Sequence, residues 1–163
     1  MEYANIIYTV DNGIATIKLN RPKALNALNS EINADIMSAI NEVKADPSVR
    51  VLIMTGSERA FAAGADVKEM AEATPRYARE FCGLAIEINN ILESLPIPTI
   101  AAVGGFAFGG GCEMTLACDF RVGGSRTTHF RGAEHQDFFS PAAHTTCQRF
   151  RESHACTLSV LGQ

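Results

Sequence analysis

Phe61-Ala-Ala-Gly-Ala-Asp-Val-Lys-Glu-Met70 and Pro98-Thr-Ile-Ala-Ala-Val-Gly-Gly-Phe-Ala-Phe-Gly-Gly-Gly-Cys-Glu113 are the stretches that decide how this chain is built. Each leads from an apolar, β-type run through glycine into a helix-like segment. Backbone N–H groups at such junctions have no partner inside the helix and point outward, where they can bind negative charge. Two loops of this kind converging on one point would make an oxyanion hole. Glu113 stands three residues beyond Gly110, the middle glycine of its loop. That combination points to acyl chemistry through an enolate.

Working outward, the chain alternates strands and helices. Residues 5–10 and 14–19 are β-rich runs joined by Asp11-Asn12-Gly13, which reads as a hairpin with its turn. Ser30 is placed to cap a helix whose face carries Ile32, Ile36, Ile40 and Val43, and Asp46-Pro47 ends it. Val49 to Thr55 is a short buried strand. Thr74-Pro75 starts a second long helix, with Phe81, Ala85, Ile88, Leu92 and Leu95 on one side. Thr99 to Val103 is the next buried strand, Gly111 to Cys118 a helix, and Asp119 to Val122 a further strand. The fold class is α/β with ββα-like units.

At 163 residues the chain has room for one domain with a real core. Its apolar fraction of 47% and charged fraction of 20% are those of an ordinary globular protein. A net charge of −4 argues against nucleic acid as the main partner, because phosphate binding relies on clustered Lys and Arg. No apolar run is long enough for a membrane span, and the N-terminus lacks the basic start of a signal peptide. Five cysteines without C-x-x-C spacing fit a reducing compartment, so the cytoplasm is the expected location. Cys82, Cys112 and Cys118 read as small buried apolar residues rather than nucleophiles. No metal site is expected. The histidines His129, His135, His144 and His154, with Cys147 and Cys156, have no zinc spacing.

The composition changes near residue 123. From there to Gln163 the only Leu, Ile, Val or Met residues are Leu158, Val160 and Leu161, whereas all four lysines lie earlier. Such a segment has little apolar area to offset its ordering entropy. The expected division is therefore a core over residues 1–122 and an aberrant or poorly ordered tail over 123–163.

Three motifs in order, Leu19-Asn-Arg-Pro-Lys-Ala-Leu-Asn-Ala-Leu28 and the two stretches quoted first, make residues 1–122 resemble the crotonase superfamily, specifically its enoyl-CoA hydratases. The resemblance implies a spiral of ββα turns, incomplete here, with the C-terminal helical part missing. It implies that the N–H groups of Ala65 and Gly110 form an oxyanion hole for a thioester carbonyl. It makes Glu113 the first catalytic glutamate, acting on the water that adds to the double bond. It assigns coenzyme A contacts to Ala24, Leu25, Ala63, Ala65, Asp66, Val67 and Lys68. Asp66 is equally well read as a structural group at a helix start, and Lys68 as a solvated one.

The resemblance weakens in the tail. Phe130-Arg-Gly-Ala-Glu134 keeps the family's phenylalanine-to-glutamate spacing without its glycine and proline positions, so Glu134 is the candidate second carboxylate. Pro141-Ala-Ala-His-Thr-Thr-Cys-Gln-Arg149 is a damaged version of a later family loop. Small insertions or deletions in the coding sequence near codon 123 would produce both changes. The expected activity is syn addition of water to a 2-enoyl-CoA, giving a 3-hydroxyacyl-CoA as in fatty acid β-oxidation. The alternatives are a 3,2-enoyl-CoA isomerase and a non-catalytic, truncated fragment. No cofactor is implied, since coenzyme A arrives with the acyl-CoA substrate. Intact family members form homotrimers or hexamers, built through helices absent from this sequence. The expectation for the chain as it stands is low solubility, no stable trimer, and turnover near background.

Overall fold

The computed structural model describes residues 2–124, 129–131 and 157–160. The first two strands, β1 (Ile6–Asp11) and β2 (Ile14–Leu19), form the expected antiparallel hairpin. Its turn puts Asn12 at φ 50° and Gly13 at φ 81°, the left-handed pair that a two-residue hairpin requires. A short 3-10 turn (Pro22–Ala24) leads to helix α1 (Ser30–Ala45). The cap of α1 is Asn29, whose side chain accepts from Ile32 N–H, so Ser30 is the first helical residue rather than the cap. Asn and Ser are near-equal caps, and two adjacent candidates leave the boundary open by one residue. Ile32, Ile36 and Ile40 are fully buried, each contributing about 1.5–3 kcal/mol by apolar burial.

Beyond α1, the chain repeats one pattern. Strand β3 (Val51–Thr55) is followed by a short β4 (Ala60–Ala62) and helices α2 (Val67–Ala71) and α3 (Pro75–Ser94). Strand β5 (Thr99–Val103) is followed by a short β6 (Phe106–Phe108) and helix α4 (Gly110–Ala117). Strand β7 (Phe120–Gly124) is followed by β8 (His129–Arg131). The long strands join one sheet in the order β1-β2-β3-β5-β7-β9, with β9 spanning Thr157–Val160. The short ones form a second sheet, β4-β6-β8. After the hairpin every pairing is parallel. The first two turns each add one strand to each sheet before a helix closes them, and β7 and β8 add the next pair of strands, as in the expected spiral of ββα units.

The second sheet is what the sequence reading missed, having placed β4 and β6 inside the two glycine loops. Three-residue strands show no readable alternation, and only their parallel neighbours identify them. Within the segment expected to be a tail, residues 129–131 and 157–160 extend the two sheets. Glu134, His135, His144, His154, Cys147 and Cys156 lie outside the described residues.

The core lies between the larger sheet and helices α1, α3 and α4. Ala15, Ile17, Leu19, Leu52, Met54, Ala101 and Val103 from the sheet meet Ile36, Ile40, Ile88, Leu92 and Met114. Thr74 caps α3 through Tyr77 N–H with Pro75 at its first position, as the sequence indicates. Among the described residues no helix is long and apolar enough to cross a membrane.

Candidate active site

Strands β4 and β6 lie side by side, with Ala62 opposite Ala107. The loops beyond the strands are in van der Waals contact. A Cβ on Gly64 would sit 3.1 Å from the Phe108 carbonyl oxygen and 3.8 Å from Gly109 Cα. Gly109 adopts φ 48°, ψ −124°, a conformation essentially confined to glycine, and this turns the chain into α4. At Gly111 the reason is approach rather than φ, since a Cβ there would stand 2.6 Å from Ala62 Cβ. The first turn of α4 therefore rests directly on β4.

Leu28 joins the two loops. Its N–H donates to Gly64 O (2.7 Å) and its carbonyl accepts from Asp66 N–H (2.8 Å), a parallel bridge around Ala65. Its Cδ1 would lie 3.3 Å from a Cβ on Gly110. Within that bridge, strand alternation turns the Ala65 N–H away from Leu28. Gly110 opens α4, so its N–H has no intrahelical acceptor. Among the described residues neither N–H has a partner. Ala65 is exposed, and Gly110 is half-buried.

Glu113 lies in the first turn of α4, its own N–H donating to Gly109 O at 3.0 Å. The side chain is half-buried, and burial pushes its carboxyl above the ordinary glutamate range. The helix N-terminus favours the anion, but desolvation sets the direction. Among the described residues no cation pairs with it. Cys82 of α3 is close enough to feel the charge: its thiol is pushed up first by burial and then by Glu113. Cys82 itself is exposed, contrary to expectation, whereas Cys112 and Cys118 are buried as expected. The α3 face bearing Cys82 turns toward Glu113 and away from the core. Burial drives the Cys118 thiol to about 12.

The remaining expected contacts fall on two adjoining segments. Ala24 closes the 3-10 turn, and Leu25 (φ 51°) accepts from Ala63 N–H at 3.2 Å. Val67, 79% exposed, and Lys68 stand open to solvent beside Ala65. Asp66 has both carboxylate oxygens engaged. Oδ1 accepts from Lys68 N–H (3.1 Å), capping α2, and Oδ2 pairs with Arg21 Nη2 (3.1 Å). Burial raises its carboxyl, but the Arg21 guanidinium and the Lys68 amide outweigh that and hold it below the usual range.

Arg21, Asn26, Leu28 and Glu69 were not singled out from sequence, although the first three lie in the motif at residues 19–28. Buried Asn26 (φ 57°) accepts from Arg21 N–H (2.9 Å) and donates to the carbonyls of Ala60 and Phe61 (3.1 Å each). Glu69 accepts from Ser30 N–H (3.2 Å) and from the Tyr77 hydroxyl, tying α2 to the starts of α1 and α3. An asparagine flanked by apolar residues, in a motif that also holds Arg21-Pro22, was the available signal for Asn26. For Glu69 there was none.

The profile of the family described as enoyl-CoA hydratase/isomerase matches residues 9–148. Over 126 residues the chain is 44% identical to the crotonyl-CoA hydratase of Syntrophomonas wolfei, a match covering 77% of this chain and 48% of that protein. The short-chain-enoyl-CoA hydratase of Clostridium acetobutylicum gives the same identity and coverage. The crystal structure of enoyl-CoA hydratase from Bacillus anthracis superposes with a TM-score of 0.82 at 31% identity, covering 90% of this chain and 58% of that one. The chain spans about half the length of the curated relatives it matches.

Proposed function

The chain belongs to the enoyl-CoA hydratase/isomerase family, and from that premise we propose that it carries the oxyanion half of a site that adds water to a 2-enoyl-CoA thioester. The observation that supports this reading is the contact of the Gly64 and Gly109 loops, each followed by an N–H group without a partner among the described residues, with half-buried Glu113 three residues beyond Gly110. In this reading the thioester carbonyl oxygen accepts from Ala65 and Gly110 N–H. Water oxygen bonds to C3, the C2=C3 π electrons move toward the thioester, and the two donors stabilise the charge developing on its oxygen. Glu113 orients the water and takes its proton, a role that its raised carboxyl pKa and its place in the first turn of α4 both fit. A proton then goes to C2. Glu134 is assigned to this half of the chemistry on sequence spacing alone. Coenzyme A runs along Ala24, Leu25, Ala63, half-buried Asp66 and the exposed Val67 and Lys68, and no further cofactor takes part.

The test is the loss of conjugated enoyl-thioester absorbance when crotonyl-CoA is added. Slow hydration that vanishes in Glu113→Gln is the expected result. A rate equal to buffer, with no binding of the thioester, would overturn the reading. An isomerase reading is favoured by one observation: of Asp66 and Glu113, the carboxylates next to the two donors in sequence, Asp66 has both oxygens engaged, which leaves Glu113 as a single base, and a single base suffices to move a proton between C2 and C4 of a 3-enoyl-CoA. Faster isomerisation of a 3-enoyl-CoA than hydration of crotonyl-CoA would decide for it.

A further inference from the structure

The Ala65 N–H belongs to a peptide held on one side, where buried Gly64 lies against Phe108 and its carbonyl accepts from Leu28 N–H at 2.7 Å. Helix α2, which follows on the other side, has no buried residue. What fixes that side is a circuit of polar contacts. Asp66 Oδ2 pairs with Arg21 Nη2, and Arg21 Nη1 donates to Ala27 O. Arg21 N–H donates to Asn26 Oδ1, and Asn26 Nδ2 donates to the carbonyls of β4, the strand that leads back to Ala65. Among the described residues, Arg21 is thus the side chain that joins residue 66 to the 26–28 loop. The pair is largely withdrawn from water, with side-chain exposures of 21% and 17%. A charge-assisted bond in that setting is directional as well as attractive.

We propose that Arg21 is a positioning residue for the oxyanion donor at Ala65: through Asp66 it holds in place the segment whose Leu28 bridge directs that N–H, and it does not itself touch the thioester. The inference rests on the functional reading above. It gives the arginine a role in catalysis that loop stability alone would not require, and it turns Asp66 from a ligand contact into the second member of a clamp.

The probe is a cinnamoyl-CoA thioester with an electron-donating ring substituent, whose absorption moves to the red when its carbonyl is polarised. Two variants are compared with the unmutated chain. Arg21→Met keeps the apolar stem and deletes both guanidinium donors. Asp66→Asn keeps a good cap for α2 and deletes the charge. Both should bind the probe as the unmutated chain does and lose most of the red shift. Crotonyl-CoA hydration should fall by about 10- to 100-fold in kcat at constant KM, the scale of an ångström of misplacement. Arg21→Lys should recover part of the shift, since it keeps the charge but loses the fork. A full red shift in either variant overturns the inference, as does a rise in KM with kcat unchanged. If Arg21→Met does not fold, Asp66→Asn decides by the same criteria. No red shift in the unmutated chain overturns the functional reading itself and takes this inference with it.

Discussion

The two loops that meet at Gly64 and Gly109 present the same kind of donor but are held by opposite means. Gly110 opens α4, which buries Gly111, Cys112, Met114, Thr115 and Ala117 and packs against α3, β4 and β6. Buried Arg121 closes its far end by donating to the carbonyls of Thr115 (3.2 Å) and Cys118 (3.0 Å). Ala65 precedes α2, which buries nothing and is held by Asp66, Glu69 and their partners. One half of the site is thus part of the core, and the other is strapped to it by charge and hydrogen bonds. Packing is insensitive to pH and costly to alter, whereas polar straps respond to pH and to single side chains. The two halves should therefore fail differently.

The largest expected effect is on the packed side. Glu113→Gln should cut hydration by roughly 10²- to 10⁴-fold, the range for removing a positioned acid or base, with thioester binding unchanged. Binding by calorimetry and initial rates check it, and wild-type turnover would remove Glu113 from the mechanism. Gly111→Ala places a methyl 2.6 Å from Ala62 Cβ and 2.8 Å from Ala62 O. Because backbone cannot yield as a side-chain tip can, α4 must lift from β4. We expect a loss of about 1–3 kcal/mol in urea unfolding, typical of overpacking, together with loss of activity. An unfolding midpoint matching the unmutated chain would show that α4 is less tightly seated than its contacts indicate.

Asn26→Ala lies between the two regimes, because Asn26 is buried yet polar. Its removal takes the acceptor from Arg21 N–H and one donor from each of the Ala60 and Phe61 carbonyls, of which Ala60 O keeps Ser57 N–H at 2.9 Å. The cost should be about 1–3 kcal/mol for buried groups left unsatisfied. Chemical denaturation measures this directly, and a change within error would mean that water replaces the amide.

The difference between the halves also explains what was legible in the sequence. The packed side announced itself through local chemistry. Asn12-Gly13 fixed the hairpin, the i, i+4 isoleucines marked the buried face of α1, and Thr74-Pro75 marked the start of α3. The glycine run then located the mouth of α4, since only close approach and an unusual φ require so many glycines together. The strapped side depends on pairings that no local pattern carries. Arg21 meets Asp66 and Ser30 N–H meets Glu69 across intervening elements, so Arg21 and Glu69 read alone as ordinary surface charges. The second sheet escaped for a related reason, because β4 and β6 are strands only by virtue of each other. Cys82 escaped because the period of α3 locates a core face but does not say which part of the other face turns toward Glu113.

The smallest effect is also the one that separates the halves most cleanly, because acid should act on them with opposite sign. At Asp66 and Glu69 burial raises the carboxyl, but hydrogen bonds outweigh it: from Arg21 and Lys68 to Asp66, and from Tyr77 and Ser30 to Glu69. Both groups therefore lie below their ordinary values in the folded chain. Their contribution to stability is fully present above the unfolded carboxylate pKa and is lost as pH falls through the depressed folded values. For Glu113 the folded value is raised by burial. The folded chain then binds the proton more readily than the unfolded one, so its contribution improves as pH falls through the raised value toward the unfolded one. Acidification from neutrality should first ease α4 and, at lower pH, loosen α2. Amide hydrogen exchange, corrected for its intrinsic pH dependence, should show protection in α2 falling at a pH where protection in α4 is unchanged or higher. Tyr77→Phe, which removes one donor from Glu69, should shift the loosening of α2 to higher pH and leave α4 untouched. Parallel loss of protection in both helices would mean that α2 and α4 open as one unit, and the contrast between a packed and a strapped half would fail.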